Sequence, residues 1–211
     1  FSGREFGASV VARFESVGCD VPALELQLAR ACHERVVQRV PSCAGRYRFT
    51  HALLREFLEA ELEPTERARA HREAARALLA DDRTLDPRLV ARVARHWLES
   101  GTAEGLQRAV ELASKAAAEA CARAVYPEAA GAYAIAVAAL RGQLAADLQP
   151  TAASRLRGEL GRHLVELATQ LWLAGQHEQA LAHFDEIAAI GRALDDSGLL
   201  QEAALGTLAM C

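Results

Sequence analysis

The spacing of apolar residues changes character once, between Arg46 and Leu58. Tyr47 and Phe49 alternate with Arg46 and Arg48, the period of two that marks a half-buried strand. From Thr50 onward the period is helical. Leu54, Phe57, Leu58 and Leu62 fall on one face, and Thr50 is placed to cap the helix start. The pattern predicts a short strand that runs straight into an amphipathic helix. His51 stands at the junction, where free backbone N–H groups and the positive end of a helix dipole favour an anion.

Upstream, Gly3 to Ser16 reads as a first short helix, broken by Gly18 and Asp20. Val21, Leu24, Leu28 and Cys32 form the apolar stripe of a second helix, with Pro22 tolerated in its first turn. Val36 to Val40 is strand-like, Pro41 to Gly45 is turn material, and Tyr47 to Phe49 returns as a strand. Two helices followed by a β-hairpin predict a winged helix with the hairpin as its wing. The second helix offers Arg30, His33 and Arg35, but also Glu25 and Glu34, so direct nucleic-acid binding is not expected of it. Pro64 and Thr65 restart the chain as a helix to about Ala80. Asp86-Pro87 starts the next helix, and Gly101 ends it. Beyond Pro64 the pattern predicts helices only. The expected fold is therefore mostly all-α, with a winged helix over 1–62 and a stack of helical pairs over 63–211.

Two segments of the stack resemble tetratricopeptide repeats. In Leu173 to Ala188, Gly175 makes the tight turn, Ala180 is the small residue where paired helices touch, and Phe184 fills the gap to the next unit. His177 stands where that repeat prefers Tyr, and Leu164, Leu167, Ala168 and Leu171 form the inward stripe of the preceding helix. Tyr126, Ala129, Tyr133 and Ala136 repeat the arrangement more weakly. Tyr126 and His177 lie 51 residues apart, longer than the usual spacing of about 34. Either the helices are longer or an extra turn sits near Asp147 to Pro150. A looser copy surrounds Trp97 and Gly101, and a plain Ala-rich bundle is the competing interpretation. A repeat stack implies a protein or small-molecule effector held along its inner groove.

Composition supports helices. Hydrophobic residues make up 51% of the 211 but aromatics only 5%, so the apolar content is chiefly Ala and Leu. Net charge is −4, which excludes a polyanion-binding chain as a whole. The segment from Arg35 to Arg95 holds 13 Arg against 9 acidic residues, net +4, and the remainder carries −8. That basic stretch reads as solvated helix faces with pairs such as Arg69–Glu73 rather than a surface for nucleotide or DNA. The five cysteines (19, 32, 43, 121 and 211) are odd in number and contain no C-x-x-C spacing. This argues for a reducing, cytoplasmic setting and against a zinc site. No apolar run spans a bilayer.

No phosphate-cradling G-x-x-x-x-G-K-[ST] loop, H-E-x-x-H or G-x-S-x-G occurs, so no catalytic residue is assigned. His177 and His183 are six apart, a spacing that does not suit a shared metal, and His96 and Trp97 read as packing residues. The strand–Thr50–His51–Ala52–helix stretch resembles the end of the winged helix in bacterial signal-transduction ATPases with numerous domains. In that class a strand delivers a hydrophobic residue and a His to a helix start, often as Met-His-Asp. His51 matches and Ala52 replaces the Asp. The segments Gly3 to Phe6 and Glu66 to Leu79 carry the same resemblance. It implies a non-catalytic regulatory fragment beginning inside a larger chain, with an ATPase domain upstream that binds ATP or ADP. The parent would be a large LuxR-type transcription regulator, or a cyclase or kinase with the same module. His51 would be the nucleotide-contacting residue. A tetratricopeptide-like interaction scaffold without nucleotide switching is the alternative, and a hydrogen-bonded structural His51 goes with it.

Overall fold

A computed structural model describes residues 5–41, 43–81, 86–146 and 148–208. By contact the chain divides into two compact units, Phe1–Leu85 and Asp86–Cys211. Among the described residues there are ten helices and three strands.

Unit 1 is built on a sheet of β1 (Glu5–Gly7), β2 (Val37–Arg39) and β3 (Arg46–Phe49), antiparallel and in the order β1-β3-β2. The hairpin expected from the sequence is present, but the segment read as the start of a first helix supplies a third strand. Phe6 pairs with Tyr47 in register, and its ring stacks on Tyr47 at 6.0 Å and lies 5.7 Å from Phe49. The open edge of β3 thus draws Glu5–Gly7 into extended pairing, and helix α1 is left with Ala8–Val11. Gly3 and Arg4 lie outside the described residues. Helix α2 (Val21–His33) starts at Asp20, whose carboxylate accepts from the Ala23 N–H at 3.0 Å. Leu24 of α2 joins Ala8, Val37 and Tyr47 in a core flanked by Leu28 and Cys32. Val21, expected in the same stripe, is exposed.

After β3 come α3 (Ala52–Ala60) and α4 (Pro64–Asp81). Helix α4 buries Ala74 and Ala77 against Phe14. The contact division accordingly follows α4, at Leu85/Asp86, whereas the change of pattern at Pro64 falls before it.

Unit 2 runs α5 (Pro87–Glu99), α6 (Ala103–Ala122), α7 (Tyr126–Leu144), α8 (Pro150–Leu173), α9 (His177–Leu194) and α10 (Ser197–Leu208). Each helix packs on its sequence neighbour, and α5 also meets α7 and α8 meets α10. Short links between packed neighbours reverse the chain each time. The 51-residue spacing is taken up by helix length, since α7 has 19 residues and α8 has 24. Gly101 and Gly175 occupy the left-handed region at φ 62° and 77°, which a side chain would strain. Small residues carry much of the contact, since Ala109, Ala113, Ala117, Ala129, Ala136 and Ala139 are wholly buried, alongside larger ones such as Val93, Leu140 and Ile187. Leu164, Leu167, Ala168, Leu171, Ala180 and Phe184 are buried, as both a repeat stack and a plain Ala-rich bundle require.

The corner between α5 and α6 is closely packed. The Thr102 hydroxyl accepts from the Gly105 N–H at 3.0 Å, and the Ser100 hydroxyl donates to the Trp97 carbonyl at 2.6 Å. A Cβ at Gly105 would stand 2.7 Å from that carbonyl oxygen and run into Ser100 Oγ. Gly105→Ala gains about 1 kcal/mol of helix propensity but loses about 1–3 kcal/mol to overpacking. Thermal unfolding should show a lower Tm for the variant. A Tm equal to or above wild type would mean that the corner relaxes freely.

Candidate functional site

The strand-to-helix junction in unit 1 lies where the sequence places it, with one change of cap. Thr50 does not cap α3. Its hydroxyl is drawn back onto the Arg35 and Val36 carbonyls at 2.5 and 3.1 Å, and its N–H donates to Val36 O at 3.1 Å. Those bonds tie the end of β3 to the turn between α2 and β2. The N-cap is His51, extended at φ −133° and ψ 135°, with no side-chain cap hydrogen bond. His51 is exposed, and the first turn of α3 contains no acidic residue. The leading N–H groups of α3 are therefore supplied with neither a cap nor a carboxylate from their own first turn. One turn on, Arg55 lies 3.9 Å from Glu59 and 4.0 Å from Glu56.

Helix α3 is amphipathic, yet none of its residues is buried. Leu53 is 78% exposed and Phe57 60%. Of the apolar stripe read from the sequence, Leu54 and Leu62 are half-buried, while Phe57 and Leu58 are exposed.

Arg69 and Glu73 form the expected pair, at 2.8 Å, but it is more than a solvated one. Glu73 is only 7% exposed, and its carboxylate also accepts from the Ser16 hydroxyl at 2.6 Å and the Ser16 N–H at 3.3 Å. Burial works against its charge. The bonds from the Ser16 hydroxyl, Arg69 and the Ser16 N–H, with the Arg69 charge, outweigh burial and hold the pKa below its ordinary 4.5. This carboxylate fastens the loop after α1 to α4.

In unit 2, a cavity of about 530 Å³ opens between α6, α7, α8 and α10. Its walls carry Ser114, Tyr133, Arg162, His163, Glu166 and Glu202. His163 Nδ1 is 2.9 Å from the Glu159 carbonyl, and His163 Nε2 is 2.9 Å from Ser114 Oγ. The carbonyl can only accept, so Nδ1 carries a proton; in the neutral ring Nε2 then accepts from Ser114. The Tyr133 ring meets His163 edge-on at 6.2 Å. Burial first, then the charge of Glu166, pushes the Tyr133 phenol up to about 12, and its hydroxyl is hydrogen-bonded to Cys121. Burial and Glu166 also raise the Cys121 thiol. A second hollow of about 260 Å³ lies between α5, α6 and α7, with Arg88, Arg92, Arg95 and Glu128 on its walls.

The other histidines have varied settings. His177 packs on Trp172 at 4.1 Å, and His96 is buried beside Trp97. His183 has its pKa lowered by burial and by Arg141, against Glu186. Among the described residues no group of three or more His, Cys, Asp or Glu is placed to hold a metal, and no described helix is long and apolar enough to cross a membrane. The Ser114–His163 and Ser16–Glu73 partnerships span 49 and 57 residues, and no local spacing in the sequence connects them. No protein-family model matches the chain, and neither a curated protein nor a solved structure matches it.

Ser16→Ala leaves the buried Glu73 carboxylate short of one donor and should cost about 1–3 kcal/mol. Because the folded pKa of Glu73 is lowered, its contribution is complete above the ordinary carboxylate value and is lost as pH falls through the lowered one. The stability gap between wild type and variant, measured by denaturant unfolding, should be constant near neutrality and narrow in acid. A gap independent of pH would exclude the carboxylate as its source.

Proposed function

We propose that this chain is a regulatory segment of a larger, nucleotide-dependent signal-transduction protein and performs no chemistry itself. Unit 1 acts as a winged helix and unit 2 as a tetratricopeptide-like effector sensor. The observation that carries the proposal is His51: an exposed N-cap with no side-chain cap bond, at the point where the central strand of the sheet enters a helix. This agrees with the resemblance to bacterial signal-transduction ATPases at Thr50-His51-Ala52. The sheet order, with two helices preceding the hairpin, and the neighbour-on-neighbour packing of α5 to α10 support the two-part reading. In the cytoplasmic parent protein an ATPase domain of the same chain binds ATP or ADP. An effector in the groove of unit 2 biases that domain between closed and open states. Output passes through transcription, cyclase or kinase activity, without direct nucleic-acid or membrane binding by this segment.

In this mechanism His51 donates to the β-phosphate of ADP and the leading N–H groups of α3 face the same anion, holding the resting state closed. Loss of one such bond costs about 1.5–3 kcal/mol, roughly tenfold or more in the open–closed balance. Full-length protein carrying His51→Ala should retain less ADP and show higher basal output, with nucleotide content and output measured on the same preparation. If both equal wild type, His51 is a structural residue and the interaction-scaffold reading takes over.

A further inference from the structure

We propose that the cavity between α6, α7, α8 and α10 binds a cationic group with several N–H donors, a guanidinium or alkylammonium. The group belongs either to a basic side chain or to a free amine. The proposal rests on the reading of unit 2 as the effector-binding part and names the chemistry of what it senses.

The sign of the cavity comes first. Glu166, Glu202 and Asp196 line it against the single cation Arg162. Asp196 is partly occupied, since its carboxylate accepts from the Gly198 and Leu199 N–H groups at 3.0 and 3.2 Å and so caps α10. Glu166 and Glu202 have no ion-pair partner among the described residues, unlike Glu128 and Glu186, which each hold an arginine. After burial, the charge of Glu166 also opposes ionisation of the Tyr133 phenol on the same wall.

The neutral groups point the same way. His163 is oriented by the Glu159 carbonyl, so the Ser114 proton is directed at Nε2 and the serine oxygen keeps its lone pairs for an incoming donor. Tyr133 supplies an aromatic wall, the surface over which a delocalised cation is best held. Two carboxylates without an ion pair, a hydroxyl acceptor and an aromatic ring share the wall with one guanidinium, that of Arg162, so acidic groups outnumber basic ones there. An anionic ligand would meet like charge here. The second hollow has the opposite character, with three arginines on its walls and Arg88 held to Glu128 at 2.7 Å. The two hollows therefore differ in the charges on their walls.

The test is calorimetric titration of the purified chain with agmatine, 1,4-diaminobutane and a capped arginine-containing peptide, with inorganic phosphate as the anionic comparison. Saturable binding of at least one cation is expected, weakened by salt and weakened about tenfold or more in Glu166→Gln. Glu111→Gln, on α6 outside the cavity, should bind as wild type does. Tighter binding of agmatine points to a free amine, and tighter binding of the peptide to a basic side chain; either supports the site. Amide chemical shifts of Ser114, Tyr133 and His163 in wild-type protein should move during the titration, which keeps the question decidable should a variant fail to fold. Absence of saturable binding by all three cations, equal affinity in Glu166→Gln and Glu202→Gln, or shifts confined to other residues would overturn the assignment. Cation binding with no effect on nucleotide retention in the parent protein would support the site and defeat the switch reading. Effector-dependent nucleotide release without cation binding would defeat the site alone.

Discussion

Tyr47 holds unit 1 together. Its strand is hydrogen-bonded on both edges, to β1 and β2, and its ring is buried with Ala8, Leu24 and Val37. Phe6 stacks on it, and the Arg39 guanidinium lies 6.0 Å from the ring centre. A strand fixed on both edges cannot shift register without turning its buried residues outward. The direction in which the chain leaves Phe49 is therefore set, and the Thr50 bonds to Arg35 and Val36 set it further. His51 and the start of α3 inherit that position even though α3 buries none of its own side chains.

Unit 2 obeys a different constraint. Its buried faces mix many alanines with larger residues such as Leu140, Leu164 and Ile187, and the small residues let the helices approach closely. Gly161 and Gly191 leave room for Leu199 and Leu200 of the last helix, and Gly206 leaves room for the Phe184 ring. Reversal at each turn places α6, α8 and α10 around the acidic cavity, while the Arg-lined hollow is shared by α5, α6 and α7. Close packing thus fixes which polar side chains share a cavity, and the sign of each cavity follows from those few residues.

What was legible in the sequence was mostly local. The alternation at Arg46 to Phe49, the Pro64 and Pro87 helix starts and the Gly175 turn all report the conformation of their own residues. The departures from expectation have a common cause in long-range pairing. Glu5–Gly7 lacks an alternating run and is extended because β3 has an edge to fill. Thr50 has the chemistry of a cap, but nearby carbonyls compete for its hydroxyl. Arg69–Glu73 is visible at helical spacing, but the burial of Glu73 and its bond to Ser16 depend on how α1 and α4 meet. Tyr133 is a repeat position by its spacing, yet it shares a cavity with His163 and Ser114, which no spacing rule connects. The position of His51 was legible from the change of period; the nucleotide proposed for it comes only from the resemblance.

Each unit thus has one proposed role. In the proposal the junction of unit 1 would touch a nucleotide, and the cavity of unit 2 would take a cationic effector. The nucleotide contact is the central claim, because without it the chain is an interaction scaffold. Hydrogen exchange on the full-length protein, with ADP bound and after its removal, tests it directly. Bound ADP should slow exchange of the amides from 51 to 55, at the start of α3, and leave the amides buried within α6 to α8 unchanged. Identical exchange of residues 51 to 55 in the two states would contradict the nucleotide contact.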